Sequence, residues 1–201
     1  MDSEARWEEI LDAAAKVFLQ NGYEASSLQE IASNVGILKG SMYYYIKTKE
    51  DLLFEIIRRS QDVYTNTREE DPETAASPAP VRLASFITRW TTLSPKQRDW
   101  GEVAEGSFTR LSPARLKQVI ARRDEFSDYV KQIIQQGIDE GAFDPAVDVS
   151  LATISVFELL RSTRQWHHPR GRLSKAAVAE WYSQFIVRGL GGPEWATSRS
   201  R

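Results

Sequence analysis

The chain has 201 residues, of which 41% are hydrophobic and 10% aromatic, and this apolar content is too high for a disordered protein. Its formal net charge is −2, and it contains no cysteine, which excludes disulfides, thiol catalysis and cysteine-based metal sites. No run of about 18 apolar residues occurs, and the N-terminal MDSEARWEE is unlike a secretory signal, so we expect a cytoplasmic protein without a membrane span.

Three helical patterns follow one another at the N-terminus. Apolar residues recur on one face from Arg6 to Asn21, which predicts a first helix. Ser27, with Glu30 three residues later, fits a capping box for a second helix. Gly36 would end that helix in the left-handed conformation, and a third short helix is predicted over about residues 38–45.

The third predicted helix carries tyrosines, a serine and a lysine on a small-residue scaffold. Two short helices joined by a tight turn are typical of a helix-turn-helix, whose second helix enters the DNA major groove. Hydroxyl and ammonium groups can donate to phosphates and base edges, and Gly40 permits close approach of a phosphate. The predicted DNA-binding residues are Ser26, Ser27, Lys39, Gly40, Ser41, Tyr43, Tyr44 and Lys49. A helical interaction module without a DNA role is the alternative.

The charge of this segment predicts few phosphate contacts per subunit. Residues 1–70 contain eight Lys and Arg residues and thirteen Asp and Glu residues, a balance of −5, whereas DNA-binding domains are commonly basic. The positive charge is local, because Lys39, Lys47 and Lys49 gather in a stretch without acids from Ile31 to Lys49. We therefore expect weak non-specific binding, with affinity supplied by two subunits docking together.

The rest of the chain also reads as helices. Periodicity predicts helices over 49–68, 81–92, 100–111, 113–140, 149–166 and 175–190, with a loop over 69–80 and a polar break at Ser94-Pro95. Gly137 is expected to be a weak point of the long helix and Gly141 its end. The fold class is therefore all-α: an N-terminal three-helix helix-turn-helix domain over 1–48 and a C-terminal helical ligand-binding and dimerisation domain over 49–201.

The last two predicted helices are apolar on more than one side. In the first of them, Leu151 and Ile154 fall on a different face from Val156 and Leu160. A helix that is apolar nearly all round must be buried on several sides, so we expect a homodimer held by a four-helix bundle. A monomer that buries both helices in its own core is the alternative.

A small-molecule site is expected in the C-terminal part, where aromatic residues exceed the needs of a short bundle. Arginines interleave with them, and their planar guanidinium groups suit phosphate or carboxylate recognition. An apolar cavity with an arginine-rich mouth would bind an amphipathic anion; otherwise the aromatics are plain core and the arginines solubilise the surface. The predicted ligand-binding residues are Trp90, Trp100, Phe108, Arg122, Phe126, Tyr129, Phe157, Arg161, Arg164 and Trp166.

The N-terminal segment resembles the DNA-binding domain of the TetR family of one-component repressors. The resemblance covers about residues 6–55 and rests on Phe18, Gly22, Tyr23, Ser26, Ile31, Ala32, Gly36, Lys39, Gly40, Tyr43, Tyr44, Lys49, Leu52 and Leu53. Ile46 departs from it, because the family usually has Phe there. The resemblance implies a homodimer on palindromic double-stranded operator DNA, released by a small hydrophobic effector.

A narrower resemblance covers about residues 122–190. Trp166, Pro169, Gly171 and Leu173 are similar to a signature of TetR-like repressors of lipid, fatty-acid and steroid catabolism. The resemblance implies an acyl-CoA thioester as effector, although Gln165 and His168 stand where arginine is common. The alternative is a multidrug-type repressor that senses a cationic or neutral aromatic ligand.

The sequence does not predict catalysis. The two histidines are adjacent, at His167 and His168, and no carboxylate stands beside them at the spacing of a metal site. No glycine-rich phosphate loop and no nucleophile motif occur. We therefore expect neither an enzyme nor a metal or cofactor site.

Overall fold

The computed structural model describes residues 3–69, 72–168 and 170–191, and these residues form helices and connecting turns without a strand. The helices are α1 (Ser3–Asn21), α2 (Leu28–Asn34), α3 (Lys39–Met42), α4 (Lys49–Glu69), α5 (Pro72–Ala75), α6 (Ala79–Thr91), α7 (Pro95–Ser107), α8 (Pro113–Asp139), α9 (Val149–Trp166) and α10 (Lys175–Leu190). A 3₁₀ turn, Phe108–Arg110, follows α7. The predicted all-α fold class is confirmed, and no helix in this part of the chain is long and apolar enough to cross a bilayer.

The chain divides into two compact units. Unit 1 comprises Met1–Val63 and Ser94–Arg123, and unit 2 comprises Tyr64–Leu93 and Asp124–Arg201. The helices α4 and α8 therefore each contribute residues to both units. The predicted boundary after residue 48 separates a DNA-binding domain from a ligand-binding and dimerisation domain, whereas the two units are defined by compactness. The functional boundary therefore stays a prediction.

The core of unit 1 is built on the apolar face of α1. Ile10, Leu11 and Phe18 pack against buried residues of α2, α3 and α4, and α7 and α8 add Trp100 and Val119 to the same cluster. Ile46, the position where the TetR-like pattern has Phe, is also buried in this core. The helices around the predicted DNA-binding segment thus share one apolar interior, which fixes the position of α3.

The core of unit 2 is built from α6, the C-terminal half of α8, α9 and α10. Leu83 and Ile87 of α6 lie in one cluster with Ile133, Leu160 and Tyr182. The α6–α10 contact is partly polar, because the Ser183 hydroxyl donates to the Ala84 carbonyl oxygen at 3.2 Å.

Two helices end where the predicted glycines stand. Gly36 has a φ of +69° and Gly141 a φ of +73°, the left-handed conformation that L-residues with a Cβ avoid. After α8 the Ala142 N–H donates to the Gly137 carbonyl oxygen at 2.8 Å and the Gly141 N–H donates to the Ile138 carbonyl oxygen at 3.0 Å, which is a Schellman motif. The predicted ends of α2 and α8 are confirmed.

The structure differs from the predicted elements at three places. Residues 69–80 are not one loop, since α5 lies within them and α6 begins at Ala79. Ser94-Pro95 is a helix start rather than a polar break, because the Ser94 hydroxyl accepts the Gln97 N–H and Pro95 occupies the first helical position. Gly137 is not a weak point: α8 continues to Asp139, and the ring of Phe143 packs on this glycine.

Candidate nucleic-acid interface and surfaces of the second unit

A capped turn positions the segment predicted to enter DNA. The Ser27 hydroxyl accepts the Glu30 N–H at 3.1 Å and so caps α2. The Glu30 carboxylate accepts the side-chain amide of Asn21 at 2.7 Å, so the second bond of the predicted capping box is replaced by a link to the end of α1. After Gly36, Ile37 returns to the core and the chain enters α3.

Helix α3 is shorter than predicted. Its four helical residues continue as a turn in which the Tyr44 N–H and the Tyr45 N–H each bond three residues back, at 3.3 and 2.9 Å. Met42 and Ile46 are buried, and the Tyr45 ring stacks on Trp7 of α1 with a centroid separation of 6.0 Å and an interplanar angle of 3°. These three anchors hold the inner side of the segment to the core. Sequence reasoning missed the stacking partner because Trp7 is 38 residues away along the chain.

The outer side of residues 38–44 is exposed. The Tyr44 side chain is 90% exposed and that of Leu38 79%. Tyr43, Lys39 and Gly40 are also exposed, and an added Cβ at Gly40 would meet no atom within 4 Å. Four of the predicted DNA-binding residues thus lie together on open surface, and Ser41 beside them is half-buried.

Ser26 and Lys49, like Ser27 at the cap of α2, are predicted DNA-binding residues that have structural contacts. The Ser26 side chain is buried, and its hydroxyl donates to the Gly22 carbonyl oxygen at 2.6 Å. The Lys49 ammonium donates to the backbone carbonyl oxygens of Tyr23, Glu24 and Ser26 at 2.6, 3.1 and 2.8 Å. It also lies 4.5 Å from the centroid of the Tyr23 ring. This geometry closes the loop between α1 and α2, and a DNA contact of either side chain stays a prediction.

Several acids of unit 1 are engaged in ion pairs within the unit. Arg59 of α4 pairs with Glu8 of α1 and, at 2.7 Å, with Glu55. Lys96 of α7 pairs with Glu8 and, at 3.1 Å, with Asp12. The negative balance of residues 1–70 is therefore partly neutralised within unit 1, at positions away from residues 38–44 in the sequence.

Two carboxylates at the start of α4 connect it to α8. Asp51 accepts the N–H groups of Lys47 and Thr48, both at 2.8 Å, and pairs with Arg115 of α8. Glu50 accepts the Ser112 N–H at 2.8 Å and so caps the start of α8. Sequence reasoning missed both contacts, although the spacing of Thr48 and Asp51 is that of a helix cap.

The same contacts shift the acidity of both groups. The hydrogen bond from the Ser112 N–H holds the pKa of Glu50 below its usual value. Burial alone would raise the pKa of Asp51, but hydrogen bonds from Arg115, Thr48 and Lys47 outweigh it and lower the pKa. Both carboxylates are therefore stabilised in the charged form.

Three of the predicted ligand-binding residues meet in unit 2. The rings of Trp90 and Phe157 lie 5.6 Å apart, and Phe86 lies 5.9 Å from Phe157 and 6.3 Å from Tyr129. The guanidinium carbon of Arg82 lies 5.8 Å from the Tyr129 ring centroid. We call Phe86, Trp90, Tyr129 and Phe157 the aromatic cluster. Phe86 was outside the predicted set, although its helical spacing of four from Trp90 was visible in the sequence.

The other predicted ligand-binding residues lie elsewhere. In unit 1, Arg122 pairs with Asp62, Trp100 is buried beside Lys96, and Phe108 lies under the guanidinium of Arg123. In unit 2, Phe126 is buried, Arg161 pairs with Glu158 at 3.3 Å, and Trp166 is half exposed against His167 and Tyr182. Their predicted role in ligand binding stays a prediction. The side chain of Arg164 and the residue Pro169 lie outside the described residues.

An apolar surface runs along α9 and α10. Leu151, Ile154, Trp181 and Phe185 each expose more than half of their side-chain surface. The rings of Trp181 and Phe185 stack at 4.9 Å and 9°. A groove of about 320 Å³ next to them is lined by residues such as Leu151, Leu159, Phe185 and Leu190. Val156 and Leu160 face the core of unit 2, as the two-sided pattern of α9 predicted.

The described residues hold no cluster of three or more side chains that could bind a metal ion. Within this part of the chain the arrangement therefore consists of an exposed α3 segment, an aromatic cluster beside an arginine, and an apolar face on the last two helices.

Comparisons with known proteins find similarity over both parts of the chain. A family model described as bacterial regulatory proteins, tetR family, matches residues 10–56, and one described as tetracyclin repressor-like, C-terminal domain, matches residues 76–190. The HTH-type transcriptional repressor KstR2 of Mycolicibacterium smegmatis is 28% identical over 92% of this chain and 91% of its own length. The fatty acid metabolism regulator protein of Bacillus subtilis is 28% identical over 92% of this chain and 95% of its own length.

A solved structure with a bound ligand is also similar. The crystal structure of AibR in complex with isovaleryl coenzyme A and operator DNA superposes with a TM-score of 0.75 at 25% identity, over 94% of this chain and 99% of that one.

Proposed function

Because the chain belongs to the TetR family of bacterial transcriptional regulators, we propose that it is a repressor that a small-molecule effector releases from a palindromic operator. The observation that carries the proposal is the α3 segment. Its inner side is anchored by Met42, Tyr45 and Ile46, while the side chains of Tyr43 and Tyr44 are exposed to solvent. A rigid short helix with polar donors on open surface suits insertion into the major groove.

The apolar face of α9 and α10 supports a homodimer. Leu151, Ile154, Trp181 and Phe185 are each more than half exposed, and contiguous exposed apolar residues commonly mark protein–protein contacts. Two copies related by a two-fold axis would bury it as a four-helix bundle. Such a dimer presents two α3 segments, which read half-sites about 34–36 Å apart on DNA.

The aromatic cluster supports an amphipathic effector. Its rings form apolar surroundings that suit an acyl chain, and Arg82 supplies a cation next to Tyr129. An arginine at this position favours an anion over the cationic ligand of the alternative interpretation. The chain's similarity to a fatty acid metabolism regulator and to AibR, which was solved with isovaleryl coenzyme A, also supports this choice. The proposed effector is an acyl-CoA thioester.

Release would require that effector and operator favour different conformations. We propose that the effector changes the separation of the two α3 segments, so that both can no longer fit successive turns of DNA. The helices α4 and α8, which contribute to both units, are the continuous elements along which this coupling can act. Typical coupling free energies are on the order of 1–3 kcal/mol, a change in affinity of roughly 5-fold to 150-fold.

The first experiment selects an operator from random DNA duplexes and measures binding by fluorescence anisotropy. Tyr44→Ala and Lys39→Ala should each weaken binding while helicity and mass remain unchanged, because both side chains are exposed. Lys131→Ala on α8 is the control, because its ammonium pairs with Asp128, three residues earlier on the same helix, at 3.0 Å. Selection of no duplex would remove the DNA-binding proposal.

The second experiment adds effectors to the protein–operator complex. Isovaleryl-CoA, a long-chain acyl-CoA and a steroid CoA thioester are compared with free CoA and with the free acids. A thioester should release the operator where its two components do not, and Phe86→Ala should reduce this release. If no thioester changes the affinity for the operator, acyl-CoA thioesters are excluded as effectors, and the proposed repressor function remains.

A further inference from the structure

Leu38 is exposed at a position where leucine does not help folding. It is the N-cap of α3, with φ −72° and ψ 145° and no side-chain cap hydrogen bond. Helix N-caps favour Ser, Thr, Asp and Asn, whose oxygens accept an N–H of the first turn, and leucine has no such atom. Its side chain is 79% exposed, more than any other aliphatic side chain among the exposed hydrophobic residues of the described chain.

The packing of unit 1 leaves Leu38 without an internal role. Its predecessor Ile37 and the following Met42 contact the core, whereas Leu38 does not belong to the core cluster or to its margin. It also lies apart in the sequence from the apolar face of α9 and α10. Lys39 and Gly40 follow it directly and are exposed, so the leucine stands beside a charged residue at the surface.

We propose that Leu38 contacts the 5-methyl group of a thymine in the major groove and so selects thymine at one position of each half-site. The proposal rests on the proposed DNA-binding function. The first residues of a recognition helix are those that reach base edges, and Leu38 directly precedes α3. Leucine cannot donate to phosphate or to a base edge, and the thymine methyl is the apolar group that a base pair presents in the major groove.

The side chains near Leu38 supply the polar groups that DNA binding requires. Lys39 supplies a charge for the phosphate backbone, and the hydroxyls of Tyr43 and Tyr44 supply donors on the same exposed segment. Contact with a methyl group removes the exposed leucine surface from water, which is favourable without any hydrogen bond. The apolar side chain thus adds sequence selectivity where the polar ones add register and affinity.

The test replaces thymine by uracil in the operator that the wild-type protein selects. Uracil keeps the pairing and the O4 acceptor of thymine and lacks only the methyl group. Uracil at one thymine of a single half-site should weaken wild-type binding about fourfold, the effect of losing one buried methyl-sized group, and uracil at that thymine in both half-sites should weaken it about fifteenfold. Leu38→Ala should bind the thymine and uracil forms of that operator with equal affinity.

Two further variants complete the test. Leu19→Ala removes another partly exposed leucine from α1 and should keep the wild-type ratio between the two operators. Leu38→Met should keep a preference for thymine, because its side chain is apolar and of similar volume. Circular dichroism establishes that each variant keeps its helicity.

The possible outcomes separate the two proposals. If the ratio of affinities for the thymine and uracil operators is the same for the wild type and Leu38→Ala, the role of Leu38 is overturned. The proposed DNA-binding function is then unaffected. Selection of no duplex at all overturns both. A uracil effect that disappears in Leu38→Ala and persists in Leu19→Ala supports the contact.

Discussion

Replacement of Gly137 in α8 by alanine should have two opposite effects on the free energy of unfolding. In an ordinary helix interior, alanine is about 1 kcal/mol more favourable than glycine because it loses less backbone entropy on folding. At Gly137, however, the added Cβ would lie 3.0 Å from Cγ of Phe143 and closer still to two other atoms of that ring. Phe143 is buried with 2% exposure, so the ring has no open space into which to move.

The clash should outweigh the gain in helix propensity. Two ring atoms would lie closer than 3.0 Å to the Cβ, so the clash should cost about 2–3 kcal/mol, the upper part of the range for core overpacking, and subtraction of about 1 kcal/mol leaves an expected net loss of about 1–2 kcal/mol. Urea denaturation at fixed protein concentration, followed by far-UV circular dichroism, measures the change. Gly106→Ala in α7 is the matched control, because its Cβ would meet no atom within 4 Å, and it should be neutral or slightly stabilising.

A second substitution tests whether the Phe143 ring causes the loss of stability in Gly137→Ala. Phe143→Leu in the Gly137→Ala background should cost less than Phe143→Leu in the wild type, because the smaller side chain relieves the contact. Stability of Gly137→Ala equal to or above that of the wild type would refute this reasoning.

Three other changes have defined outcomes. Lys49→Met should lower the stability of unit 1 by about 1.5–3 kcal/mol in urea denaturation, since it removes charged hydrogen bonds to three carbonyl oxygens, whereas Lys47→Met should be nearly neutral; equal effects would contradict the assigned role of Lys49. The folded-state pKa values of Glu50 and Asp51 are lowered, so their contribution to stability is present above about pH 4 and is lost as the pH falls through the folded values. Arg115→Ala should therefore make the urea midpoint fall less steeply with acidification, and an unchanged pH profile would argue against the Arg115–Asp51 pair. Trp181→Glu should convert a dimer into a monomer in light scattering, whereas Lys117→Glu should not; a persistent dimer would place the interface elsewhere.

The features that could be predicted from the sequence are those set by neighbouring residues. Gly36 and Gly141 end helices because only a residue without a Cβ adopts their conformation at little cost, and this requirement is visible in the chain itself. Asp148 and Ser174 cap α9 and α10 by bonds to residues three positions later. Such contacts lie within one helical turn, so the spacing alone indicates them.

The features that could not be predicted depend on residues far apart in sequence. The ammonium of Lys49 lies on backbone carbonyl oxygens 23–26 residues earlier, a contact that its place beside the recognition segment does not indicate. The guanidinium of Arg122 pairs with Asp62, 60 residues earlier, and its spacing from the aromatic residues does not indicate that contact either. A charged side chain selects its partner after the helices pack, so composition and spacing do not determine it.

The stacking of Tyr45 on Trp7 has a consequence for engineering. Because the attachment of this segment to the scaffold resides in Tyr45, Met42 and Ile46, none of the side chains at 38, 39, 43 and 44 contributes to the hydrophobic interior. A library randomised at those four positions would therefore vary operator preference while largely preserving solubility and thermal tolerance. Regulators with altered operator preference could therefore be made from this chain without changing its buried residues.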